Sequence, residues 1–211
     1  TDLRAPSLKA LAERVVGMAR TAPEDPYCGL ADPARLARSF PALDLEDPVD
    51  PGAEVLKARA AAAEGAALAV PGITNSEGAS ASWGRSAVAL ATSEGFAGSY
   101  GGTSHSVSVS VLAGEGTGME RDDDFLSSRH GGDLGDPASA GREAAARALK
   151  RLNPRKAETC AVPIVYDPRV SMSLVGHFAG AINGASIARG VSFLKDAMGK
   201  QVFARGIEIV D

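Results

Sequence analysis

The run SHSVSVSVLA at residues 104–113 alternates small hydroxyl side chains with valines at period two. A helix, with its 3.6-residue period, cannot sort that pattern onto faces. A strand can, and it puts Val107, Val109 and Val111 on one side and Ser106, Ser108 and Ser110 on the other. The valine face needs cover and the serine face does not, so this strand belongs to a sheet with one buried face. The alternation extends over 79–128, where turn residues divide it into strands at 79–83, 86–92, 96–100, 104–113 and 118–128. The breaks read as turns at Gly84-Arg85, Ser93-Glu94-Gly95 and Gly101-Gly102, with a hairpin turn through Gly114, Gly116 and Gly118. Connections this short predict an antiparallel meander.

Helices flank the sheet. Leu8, Leu11, Ala12, Val15 and Ala19 recur at helical spacing behind Ser7, a candidate N-cap, and predict a helix over 7–20 that Pro23 and Pro26 end. Residues 23–51 hold six prolines and read as loop, with a short helix at 33–39. Asp50-Pro51 starts an alanine-dense helix over 51–70, and Asp136-Pro137 starts another over 137–152 with Ala144, Ala145, Ala148 and Leu149 inward. A linker at 153–159 leads to a short apolar strand at 160–166, a helix at 168–183 capped by Asp167, a helical piece at 192–198 and a final strand at 206–211. The expected fold is therefore α+β: an antiparallel β-meander packed with helices, followed by the start of a second α+β domain. The expected division is 1–155, the remainder of an N-terminal domain, and 156–211, the beginning of a C-terminal one. Thr1 in place of an initiator Met, and a last strand without a partner, suggest a piece of a longer polypeptide.

Composition removes several functions. A net charge of −4 argues against nucleic acid, and no apolar run approaches the roughly 18 residues of a membrane span. Cys28 and Cys160 are too few and too far apart for a disulfide framework, and read as idle thiols in a reducing cytoplasm.

The chemistry-bearing residues are sparse. His105 neighbours Ser104 and Ser106, but no nucleophile-elbow sequence is present, and a structural or surface role is expected. His130 sits in a polar loop before Gly131-Gly132. His177 lies mid-helix, where a zinc peptidase would carry an adjacent Glu and a second His one turn on. Here Phe178, Ala181 and Ile182 stand at those places. Asp122, Asp123 and Asp124 are contiguous, unlike calcium-loop ligands, and read as solvated edge charges.

Five motifs occur together and in order: PEDPYCGL at 23–30, TNSEGAS at 74–80, GFAGSY at 95–100, GTSHSVSV at 102–109 and SFLKDAMGKQV at 192–202. On these the chain resembles the PmbA/TldD family, also called modulator of DNA gyrase, and within it the PmbA (TldE) branch. Members of that family are about twice this long. The resemblance implies a cytoplasmic bacterial metallopeptidase system acting on unfolded peptides and proteins. TldD-like subunits carry the zinc motif; PmbA-like subunits pair with them and lack it. The helix at 168–183 corresponds to the zinc helix but departs from its motif, so no catalytic or metal residue carries over to this chain. Zinc is expected in a TldD-like partner, in a heterodimer, with a homodimer as the alternative. The chain could instead be a metallopeptidase in its own right, or a non-enzymatic modulator of a partner.

Ser104, Ser106 and Ser108 are the candidate peptide-binding residues. An extended peptide can add to a sheet edge through main-chain hydrogen bonds, and a serine-lined face would suit a chamber holding it. The same face could equally meet solvent or the N-terminal helices.

Overall fold

The computed structural model describes residues 2–24 and 29–210. Cys28 and the middle of the PEDPYCGL motif therefore lie outside the described residues, as does Asp211. The chain divides into two compact units, Thr1–Arg155 and Lys156–Asp211.

The first unit holds a three-stranded antiparallel sheet in the order β1-β2-β3, with β1 Ile73–Ala91, β2 Ala97–Ala113 and β3 Glu120–Ser128. Where five strands were expected, β1 and β2 form one long hairpin. The expected turns at Gly84-Arg85 and Gly101-Gly102 sit inside it, with Arg85 opposite Thr103 and Ser86 opposite Gly102. These glycines do not break pairing; the neighbouring chain comes close to two of them. A Cβ on Gly101 would fall 1.5 Å from the Glu46 carboxylate, and one on Gly102 3.1 Å from the Arg129 guanidinium. β1 also begins earlier than the alternation shows. Register shifts at Ile73/Asn75 and Ser76/Gly78 scramble the period there, and Gly78 takes φ +110° at the second of them.

Helices α1 Ala5–Thr21, α2 Gly52–Leu68 and α3 Pro137–Arg151 occupy the predicted stretches. The N-cap of α1 is Arg4 rather than Ser7, whose hydroxyl donates to Asp2 instead. The Asp50 carboxylate accepts the Gly52 N–H at the start of α2, and Asp136 accepts that of Ala138 at the start of α3. The short helix expected at 33–39 is one 3₁₀ turn, Pro33–Arg35.

α2 and α3 cover the valine face of the sheet. The core joins Val107, Val109, Val111 and Ala113 of β2 to Ala63 and Ala67 of α2 and to Ala140, Ala144, Ala145 and Ala148 of α3. So many alanines let the helices close to backbone contact: a Cβ on Gly141 would stand 2.0 Å from the Ala63 carbonyl oxygen. Two of the three aspartates also face this layer. Asp124 pairs with Arg147 at 2.6 Å and Asp122 with Arg151 at 2.6 Å. The reading as solvated edge charge is corrected for both, because β3 alternates and turns 122 and 124 toward α3.

In the second unit, α4 Pro168–Ala181 and α5 Gly184–Ala188 are the helices. The Asp167 carboxylate caps α4 through the Arg169 N–H. The expected strands at 160–166 and 206–211 do not form among the described residues, and 192–198 is a run of turns rather than a helix. A strand needs a neighbour to take its backbone hydrogen bonds, and these segments have none here; Val162, Ile164, Val165 and Val210 are exposed instead. What order the unit has comes from Ser192, which donates to the Ala181 carbonyl at 2.6 Å, and from the edge-to-face pair of Phe178 and Phe203 at 5.2 Å.

Candidate functional site

The serines expected to matter lie together on the open face of the sheet. Ser106 Oγ meets Ser82 Oγ at 2.8 Å and Ser108 Oγ meets Ser80 Oγ at 2.9 Å, each pair directly opposite across β1 and β2. Ser104 is exposed opposite Gly84. At the far end Ser110 donates to Glu77 at 2.7 Å, and Arg121 stands 3.3 Å from the same carboxylate. The Ser110 hydroxyl, with help from the Arg121 charge, holds the Glu77 carboxyl below its ordinary range. The face is hydroxyl-rich and turned away from α2 and α3.

The same face changes character along the hairpin. β3 pairs with β2 only from His105 onward, so the stretch 97–104 is a two-stranded ribbon with β1. Its upper surface carries Val88 opposite Tyr100 and Leu90 opposite Gly98. A strap, residues 40–47, passes beside it and supplies Phe40, Leu43 and Leu45. Together they line an apolar groove of about 830 Å³.

The strap is tied down at its end. The Thr103 N–H donates to the Leu45 carbonyl at 2.9 Å, and the Asp47 N–H donates to Thr103 Oγ1 at 2.7 Å. The Asp47 carboxylate accepts the Gly131 N–H at 2.7 Å and the Val49 N–H at 2.9 Å; these two bonds hold its carboxyl below its ordinary value, with the His105 and His130 charges adding to the effect. His105 is 1 % exposed. Its Nε2 lies 3.1 Å from Asp47 Oδ2, and its Nδ1 lies 3.3 Å from Arg59 Nη1 of α2. A guanidinium only donates, so Nδ1 is the acceptor of that contact, while the buried Nε2 faces Asp47 without an aligned hydrogen bond. His130 Nε2 is 3.1 Å from the Asp44 carbonyl and 3.4 Å from its carboxylate.

His105 thus lies inside a buried polar network with Asp47 and Arg59. Its partners Asp47, Arg59 and Gly131 were not foreseen, because they lie far away in sequence. One signal was available: 105 shares the odd parity of Val107, Val109 and Val111, which places it on the covered face.

His177 is exposed on α4. A peptidase zinc ion needs about three protein donors, and α4 offers His177 alone, with Phe178 and Ala181 where a base and a second ligand would stand. α4 by itself does not supply a zinc donor set. Among the described residues no group of three His, Cys, Asp or Glu side chains is placed to hold a metal ion. Cys160 is exposed and unpaired in any disulfide. No helix among the described residues is long and apolar enough to cross a membrane.

Comparison with known proteins gives a consistent result. Residues 41–152 match the PmbA/TldA metallopeptidase central domain and residues 159–211 the C-terminal domain of the same family. The chain is 37% identical over 203 residues to the metalloprotease PmbA of Escherichia coli O157:H7, covering 96% of this chain and 45% of that protein. It is 34% identical, with the same coverage, to the PmbA homolog of Haemophilus influenzae. In structure it resembles a protein described as a modulator of DNA gyrase from Bacteroides thetaiotaomicron, with a TM-score of 0.81 at 26% identity over 95% of this chain and 46% of that one. A similarly described protein of Thermotoga maritima shares the fold at a TM-score of 0.68, 13% identity, and 78% and 39% coverage. The chain spans a little under half the length of the curated relatives it matches.

Proposed function

Because this chain belongs to the PmbA/TldD metallopeptidase family, we propose that it is the PmbA (TldE)-like, non-catalytic subunit of a cytoplasmic bacterial peptidase complex. Its partner is a TldD-like subunit that holds the zinc, and the substrates are unfolded peptides and proteins. The observation that carries this reading is α4. The helix that resembles the zinc helix presents one histidine and no adjacent carboxylate, so it can neither complete a zinc site nor supply a general base to a zinc-bound water.

The subunit's own contribution is then to hold substrate. The hydroxyl face over Ser104, Ser106 and Ser108 lines the peptide chamber. It offers polar contacts with no charge on those three residues, which suits chains of varied sequence. Among the described residues the outer edge of β1 has no strand beside it, so an extended peptide can add there by backbone pairing.

The test is to purify the full-length protein with and without its TldD-like partner and to measure peptide hydrolysis and bound zinc. Cleavage only in the mixture, with zinc in the partner, is expected. Stoichiometric zinc in this protein alone, with chelator-sensitive cleavage, would overturn the reading in favour of an independent peptidase. Charged substitutions Ser106→Asp and Ser108→Asp in the complex should reduce capture of unfolded peptide; unchanged capture removes the chamber.

A further inference from the structure

We propose that the strap at 40–47 is a pH-sensitive wall of the apolar groove, held shut by His130 and let go when that histidine loses its proton. The strap meets the sheet through the Leu45 and Asp47 bonds to Thr103 and through the Glu46–Arg85 ion pair at 3.0 Å, and at Asp44 through bonds whose strength depends on the His130 charge. His130 Nε2 reaches both the carbonyl and the carboxylate of Asp44, at 3.1 and 3.4 Å. Asp44 itself sits at φ +38°, a left-handed conformation that side-chain-bearing residues adopt at a cost. A residue held in that conformation next to a titratable partner relaxes when the partner's hold weakens.

Three carboxylates around His130 favour its cation. The strap presents Asp44 and Asp47, and its own loop presents Asp133. The adjacent Arg129 is engaged with the Thr103 carbonyl at 3.3 Å. The second histidine of the region, His105, is enclosed between Asp47 and Arg59. His105 faces the strap at Asp47, whereas His130 faces it at Asp44, the residue in the left-handed conformation. The Asp44 carbonyl first, and then the three carboxylates, raise the His130 pKa above its ordinary 6.5.

The sign follows. When the strap is released His130 returns toward 6.5, so its cation stabilises the closed strap fully below that pH. The contribution is lost as pH rises through the elevated value of the closed form. A closed strap walls the groove opposite Val88, Leu90 and Tyr100 and occupies the edge of β2 at Thr103; an open one frees that edge and removes the wall. Opening is thereby tied to the near-neutral range in which histidines titrate.

Amide hydrogen exchange in the full-length protein reads this directly, because the Thr103 N–H donates to Leu45 and the Gly131 N–H donates to Asp47. After correction for intrinsic exchange, protection at both amides should fall about two- to fivefold between about pH 5.5 and about pH 8.5, the range of a partly exposed ion pair. Val109, in the sheet core, should show no such change. His130→Gln keeps a donor for the Asp44 carbonyl but carries no charge, and Asp44→Asn keeps the carbonyl but removes the carboxylate; each should flatten the pH dependence. Protection that stays level across this range in the unsubstituted protein overturns the proposal. So does a pH dependence that survives in His130→Gln, which would assign the switch to His105. Neither outcome depends on peptide cleavage or on a partner subunit.

Discussion

Replacing Gly141 by Ala tests the packing of the two helices where they are closest. The added methyl would stand 2.0 Å from the Ala63 carbonyl oxygen, and 3.0 Å from both the Ala63 carbonyl carbon and the Ala67 nitrogen. All three obstacles are backbone atoms of α2, so no side chain can rotate aside. Restoring 3.0 Å to the oxygen, the shortest approach real Cβ atoms show, requires α2 and α3 to part by about 1 Å along that line. A gap of that size forfeits about a quarter to a half of the dispersion well at each contact it opens. The contacts at stake are those of Ala63, Ala67, Ala140, Ala144, Ala145 and Ala148, all fully buried. Overpacking costs about 1–3 kcal/mol, and the upper end applies against a rigid backbone. Alanine returns up to about 1 kcal/mol of helix propensity, leaving a net loss of about 2 kcal/mol. With a urea dependence of about 2–3 kcal/mol per molar, the midpoint of the transition reporting on this domain should fall by about 0.7–1 M. Gly65→Ala is the control. It lies in the interior of α2 with nothing within 4 Å of its would-be Cβ, and it should raise stability by up to about 1 kcal/mol and the midpoint by up to about 0.3–0.5 M. A Gly141→Ala midpoint equal to or above that of the unsubstituted protein would refute the backbone-contact argument. A fall in both variants would place the cause in α2 and α3 generally rather than at this crossing.

Two further outcomes are expected. Arg147→Met leaves the Asp124 carboxylate, only 19% exposed, without its 2.6 Å partner; a loss of about 1–3 kcal/mol in urea unfolding follows, and a change within error would mean that water replaces the pair. Asp47→Asn should shift the acid limb of the stability profile. The Asp47 carboxyl is held below 3.8 by the Gly131 and Val49 N–H groups, so its contribution is present above that pH and lost as pH falls through the lowered value. In Asp47→Asn that part of the acid dependence disappears, and an acid limb that overlays the unsubstituted one would show that Asp47 does not carry it.

How much of this was legible in the sequence follows from how local each cause is. The α+β class, the three helices of the first unit and the covered valine face came from periodicity and capping, which act within a few residues. The strand count did not. Gly84, Gly101 and Gly102 look like turns, and only residues distant in sequence, Glu46 beside Gly101 and Arg129 with Leu45 beside Gly102, give two of them another reason to be glycine. The same distance hid Asp47 and Arg59 from any reading of His105. Asp122 and Asp124 were misjudged because three like charges in a row suggest solvent, while strand alternation splits them between faces. In the second unit, apolar runs at 160–166 and 206–211 promise strands, but pairing is a property of two segments, and the apolar pattern of one run does not say which segment meets it. The placement of Ser104, Ser106 and Ser108 on one open face was readable, since parity alone decides it.

The cross-strand serine pairs have a consequence for how that face handles other molecules. In Ser80–Ser108 and Ser82–Ser106 either oxygen can be the donor, so each rung has two arrangements related by turning both hydroxyls. Whichever serine donates, its neighbour's hydrogen is left to swing outward, and reversing the pair moves that free donor to the other strand. The face is therefore a row of small reorientable dipoles without a set polarity. It can present a donor or an acceptor at the same spot for little more than the rotation of two C–O bonds, and it can do so without any backbone movement.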